Sequence, residues 1–93
     1  MKEDLLNIIN HFGLTNQLKK LSEEVFELQE AILTDVGDNE SYDHIVEEIA
    51  DVYVVMEQLE EYFEVNQDKL IAMESYKIRR TLERIKNGNL SKN

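Results

Sequence analysis

Apolar residues recur along this chain at helical spacing, every three or four positions, and they fall into four blocks. Leu5, Leu6, Ile8 and Ile9 predict a first helix over about Lys2–His11, stopped near Gly13 by a left-handed residue. Leu14, Leu18, Leu21, Val25, Leu28 and Ile32 form one stripe at a 3.6-residue period. They predict a second helix, capped by Thr15 and running to about Thr34. The cluster Asp35-Val36-Gly37-Asp38-Asn39 reads as a turn, short enough to lay the next helix antiparallel to the second. That third helix, about Ser41–Glu64, is expected to bury Ile45, Ile49, Val52, Met56, Leu59 and Phe63. Asn66 is placed to cap a fourth over Gln67–Lys86, with Ile71, Ile78, Leu82 and Ile85 on its core face. Asn87-Gly88 ends it, and the tail from about residue 88 is polar. The expectation is a single all-α domain, a small four-helix core.

One helix carries more apolar surface than a single stripe requires. Val46, Ala50, Tyr53, Val54 and Val55 lie outside the expected core arc of the third helix. A helix apolar most of the way round is covered on more than one side, and 93 residues supply too few elements to do that. A homodimer or homotetramer packed through helices is therefore expected. The absence of Pro and the presence of only three Gly suit an all-helical chain. No apolar run approaches membrane-spanning length, and acidic residues follow Lys2 directly, unlike a signal peptide. Without Cys the chain has no disulfide framework, thiolate nucleophile or zinc-thiolate site, which suits a cytoplasmic protein.

Charge changes the picture. The formal net charge of -10 argues against non-specific nucleic-acid binding. From Leu21 to Asp68 there is no Lys or Arg against sixteen Asp and Glu, whereas seven of the ten basic residues lie between Lys69 and Asn93. An acidic middle followed by a basic end suits a metal–phosphate site, and equally suits two unlike solvated faces.

Within the acidic stretch two i, i+3 pairs stand out: Glu24 and Glu27 in Glu23-Glu24-Val25-Phe26-Glu27, and Glu48 and Asp51 in Glu48-Ile49-Ala50-Asp51. Like charges at this spacing repel by a few tenths of a kcal/mol per pair. Two such pairs face to face call for a compensating cation, and hard carboxylate oxygens favour Mg²⁺ or Mn²⁺. Acidic edges flanking an amphipathic stripe are the plain alternative. Against it, neither helix has a basic i+4 partner beyond Lys20, and Asp51 interrupts the otherwise apolar Ile49-Ala50-Asp51-Val52-Tyr53-Val54-Val55.

In this order, on consecutive helices of a short all-helical chain, the two motifs resemble the EExxE…ExxD signature of the MazG-like all-α nucleoside triphosphate pyrophosphohydrolases. The superfamily also includes dimeric dUTPases and phosphoribosyl-ATP pyrophosphohydrolases. The similarity extends from Gly13…Gln17 before the first motif to Tyr76-Lys77-Ile78-Arg79-Arg80 after the second. The resemblance implies Glu24, Glu27, Glu48 and Asp51 as ligands of Mg²⁺, with Mn²⁺ able to substitute. It implies hydrolysis of a (deoxy)nucleoside triphosphate between the α and β phosphates, releasing the monophosphate and pyrophosphate, as in nucleotide-pool house-cleaning. Glu23 and Glu47 match adjacent acidic positions and are the candidates for taking a proton from the attacking water.

Lys69, Lys77, Arg80 and Arg84 fall within roughly 80° on the fourth helix, and either clamp phosphates or form an ordinary solvated face. Lys77 and Arg80 carry the resemblance, which also implies a base-edge hydrogen bond for Gln17, although a polar residue on the second helix needs no such role. His11 and His44 lack metal-ligand spacing, and Phe12, Phe26, Tyr53, Tyr62 and Phe63 suit a core better than base stacking. Two competing expectations remain. One is a non-catalytic helical module binding a nucleotide or protein in the same groove. The other is phosphoribosyl-ATP hydrolysis, which would call for more phosphate-binding residues near the motifs.

Overall fold

The structure, a computed structural model, describes residues 1–35 and 39–88. It contains four α-helices: α1 (Lys2–Phe12), α2 (Leu14–Asp35), α3 (Asn39–Tyr62) and α4 (Gln67–Lys86). The domain is all-α, with no strand among the described residues. The apex of the turn expected between Asp35 and Asn39 and most of the polar tail lie outside the described residues.

Each helix end has a local cause. Gly13 separates α1 from α2 by itself: its N–H donates to Ile9 O at 2.8 Å and its C=O accepts from Gln17 N at 3.1 Å. Its φ of 92° is positive as expected, but its ψ of 151° is extended rather than left-handed helical, a region open essentially to glycine alone. Since α2 already begins at Leu14, Thr15 lies inside its first turn and Gly13 takes the cap position expected of Thr15. At the far end of α3, Glu64 has φ 51°, Val65 N donates to Glu60 O and Glu64 N to Glu61 O. This is the Schellman pattern with glutamate in the left-handed position that glycine normally fills. Asn66 caps α4 as expected, its side-chain oxygen accepting from Lys69 N at 3.0 Å.

The central unit is the α2/α3 pair. Gln17 meets Gln58, while Glu24 and Glu27 meet Glu48, so sequence rises on one helix as it falls on the other and the pair is antiparallel. α1 packs chiefly on α3 and less on α2. Its Ile9 is fully buried, and Leu5, Leu6 and Ile8 are half-buried beside it.

The buried faces are rotated from those the apolar stripes predict. With Leu14 and Ile45 written as heptad position a, α2 buries or half-buries Leu14, Gln17, Leu21, Glu24, Leu28 and Ala31. α3 does the same with Ile45, Glu48, Val52, Val55 and Leu59. These are a and d positions, the narrow seam of two antiparallel helices, to which α3 adds the buried Gln58 at position g. The expected stripes instead combined a with e. Their e members, Leu18, Val25 and Ile32 on α2 and Ile49, Met56 and Phe63 on α3, are exposed. Val55, placed outside the core by its sequence position, is buried in it. The same rotation occurs in both helices because the seam takes its polar d residues inward and nothing among the described residues covers the e flank.

A larger departure concerns α4. It packs on none of the other helices among the described residues beyond a link at its start, where Gln67 Nε2 donates to Glu60 Oε1 at 2.9 Å. Ile71, Ile78, Leu82 and Ile85, expected in a core, are all more than half exposed.

Candidate metal centre

The seam that excludes Leu18 and Val25 admits carboxylates. Glu24 retains 4% of its surface and Glu48 8%, each at position d, with the small Ala31 further along α2. Position g supplies the flank: Glu27 on α2 and Asp51 on α3. In an antiparallel pair the g positions of both helices fall on one side and the e positions on the other. Carboxylates and uncovered apolar stripes thus occupy opposite flanks of the hairpin.

One carboxylate oxygen each from Glu24, Glu27 and Glu48 lies within 4.8 Å of the others, and the same holds for Glu47, Glu48 and Asp51. Glu48 belongs to both groups, so all four expected ligands converge, and Glu47 joins them. Glu23 belongs to neither group and is exposed. Between the two acidic neighbours considered for the water's proton, geometry favours Glu47.

Crowding shows in the acidities. Asp51 is held above the usual carboxylate range by burial first, then by the charges of Glu24 and Glu47. Glu27 is raised by Glu24 first, with burial and Glu48 adding to it. In both cases Lys20 acts in the opposite sense. Its Nζ stands 2.8 Å from Glu24 Oε1, and this hydrogen bond is the main cause that raises its own pKa. On α3, His44 Nε2 lies 3.3 Å from Glu48 Oε1. The second oxygens, Glu24 Oε2 and Glu48 Oε2, are buried with no hydrogen-bond partner.

Those two orphaned oxygens test the fit of a cation. A buried carboxylate oxygen without a donor bears the full cost of lost hydration. Here two belong to one all-oxygen group, the donor set that hard divalent cations take. Glu24, Glu27, Glu48 and Asp51 fit Mg²⁺ or Mn²⁺.

The remaining expected residues are placed differently. Gln17 is buried, its Nε2 donating to Gln58 Oε1 at 2.8 Å, so this amide closes the seam between the helices rather than facing a ligand. Gln58, 2% exposed, escaped the sequence reading. Its signal was its place seven residues beyond Asp51, two turns along the same face. Lys77, Arg80 and Arg84 stand on α4, and the charges acting on Glu27 and Asp51 all come from α2 and α3. The expected phosphate clamp is therefore not assembled beside the carboxylates within one chain. Arg80 lies over the Tyr76 ring of its own helix, 5.6 Å from the centroid, and its Nε is buried without an acceptor. No helix is long and apolar enough to cross a membrane among the described residues. Comparison with known proteins finds no match: no family model, curated protein or solved structure is significantly similar to this chain.

Proposed function

We propose that this protein is a Mg²⁺-dependent nucleoside triphosphate pyrophosphohydrolase, releasing a monophosphate and pyrophosphate. The observation that carries the reading is the convergence of Glu24, Glu27, Glu48 and Asp51 from two helices, with two buried oxygens lacking any donor. The motif resemblance supplies the substrate class. Bound there, Mg²⁺ would supply charge neutralisation and Lewis acidity to the triphosphate.

The chain's own residues do the rest. The four carboxylates would hold the cation, and through it set where the polyphosphate lies relative to the hairpin. Glu47, exposed at the rim of the group, accepts the proton of the water that adds to a phosphorus of the α–β bridge as the bridging P–O bond breaks. Lys77, Arg80 and Arg84 meet phosphate oxygens only in an assembly, since among the described residues their helix packs on no other and is linked to α3 only at its start. A homodimer is the assembly we propose. It covers the exposed e flank and the apolar side of α4, and it brings the basic helix of one chain to the acidic hairpin of another.

Pyrophosphate release from a panel of nucleoside triphosphates with Mg²⁺ tests the reading. Asp51→Asn is expected to abolish turnover on the best substrate while leaving the helical circular-dichroism spectrum intact. Near-wild-type turnover by that variant would replace catalysis with a purely binding role.

A further inference from the structure

The two buried carboxylates are held in the same way. Four residues before each stands a nitrogen donor on the same helix, Lys20 before Glu24 and His44 before Glu48. Each donor engages Oε1 of its carboxylate, at 2.8 Å and 3.3 Å respectively, and in each case Oε2 is buried with no partner. The donors remain about half exposed, while the carboxylates they hold are almost fully buried. Helical geometry accounts for the repetition. Residues at i and i+4 lie one turn apart on one face, so a long side chain one turn earlier reaches the outer oxygen of a carboxylate in the seam.

We infer that Lys20 and His44 are paired positioning residues, each fixing one oxygen of a buried glutamate so that the other is presented to a divalent cation. The inference rests on the metal reading above and assigns roles to two residues outside the motif. A glutamate has three side-chain torsions, and a ligand that must find its rotamer at each binding event holds an ion weakly. Bracing one oxygen removes that freedom before the ion arrives, which is how groups behind metal ligands raise affinity.

Electrostatics alone predicts the opposite sign, and this makes the inference testable. Lys20 repels Mn²⁺, as His44 does when protonated, so a mere counter-ion, once removed, leaves tighter metal binding, or unchanged binding where the imidazole is neutral. A brace, once removed, leaves weaker binding. Titration calorimetry with Mn²⁺ alone, without nucleotide, reads the difference directly. Lys20→Met and His44→Leu are each expected to weaken Mn²⁺ binding by about ten- to a hundredfold. Lys20→Arg and His44→Gln, which keep a donor at the same reach, are expected to stay near wild type. His44→Gln adds a control, because it donates a hydrogen bond without carrying charge. Unchanged or tighter binding in both Lys20→Met and His44→Leu overturns the inference and leaves the metal centre standing. Equal Mn²⁺ binding by wild type and Glu48→Gln, or none by either, removes the metal centre and this inference with it. If Lys20→Met unfolds because Glu24 is stranded, the His44 pair decides by the same signs.

Discussion

Asp51 and Glu27 illustrate how placement makes an ordinary side chain into a candidate ligand. Both carboxyls hold their protons more tightly in the folded chain than in the unfolded one, Asp51 through burial and Glu27 through Glu24. The native state therefore binds more protons than the unfolded state between the ordinary carboxylate pKa, about 4, and the raised values. Stability contributed by these two groups falls as pH rises through that window and returns as pH is lowered. The melting temperature of metal-free protein is expected to rise as pH is lowered from neutral through that window towards the ordinary carboxylate pKa, and saturating Mg²⁺ should flatten or reverse the trend. The double variant Asp51→Asn, Glu27→Gln should show a reduced slope. A metal-free wild type whose melting point only falls on acidification would contradict this. At this scale the sequence was informative for Asp51, which stood alone among apolar neighbours, and far weaker for Gln58, whose one signal, a place two turns beyond Asp51, gains meaning only once its partner Gln17 on another helix is known.

At the scale of elements, helix ends were more legible than helix faces. Asn66 marked the start of α4 because its capping bond is made to its own neighbour, Lys69. The end of α3 offered no glycine, and the chain turns there on Glu64 instead. An L-residue in the left-handed region carries roughly 1–2 kcal/mol of steric cost that glycine avoids, offset in part by glycine's greater freedom when unfolded. Glu64→Gly is expected to stabilise the protein by about 0.5–1 kcal/mol, raising the midpoint by a few degrees in a thermal melt. A lower midpoint would show that the Glu64 side chain contributes more than the strain costs. The faces were harder to read. Leu18, Val25 and Ile32 extend the stripe of α2 as well as any residues do, and periodicity gives no reason to prefer Gln17 and Glu24 over them. The seam is chosen by what meets across it. Gln17 finds Gln58 and Glu24 finds the α3 carboxylates, while Leu18, Val25 and Ile32 stay exposed among the described residues.

For the whole molecule, the uncovered surface is the dominant feature. Leu82 is 59% exposed and Ile78 60%, on a helix that packs on no other among the described residues. Beside its start, an open groove of about 850 Å³ runs between α3 and α4, walled by Val52, Tyr53, Met56, Phe63 and Leu70. Contiguous apolar surface on this scale is covered in stable proteins. Charge points to a second copy as the cover: α4 is basic, and the α2/α3 hairpin is strongly acidic. Sedimentation is expected to find a dimer or larger species at micromolar concentration. Leu82→Lys together with Ile78→Lys should shift it towards monomer without altering any proposed metal ligand. A wild type that sediments as a stable monomer would defeat the assembly and leave the role of the α4 cations without support.

The sequence by itself determined the four helices, their order and three of their ends, because these depend on spacing and on bonds within a few residues. It also marked Glu24, Glu27, Glu48 and Asp51, because one turn of helix is enough to put each pair on one face. Tertiary structure decided which stripe of α2 faces α3, that Glu47 rather than Glu23 joins the carboxylates, and that Lys77, Arg80 and Arg84 stand apart from them. Those outcomes depend on how two helices roll against each other and on where a fourth is left to lie. No period within one helix encodes either, since both are set by the energies of contacts between residues far apart in the chain.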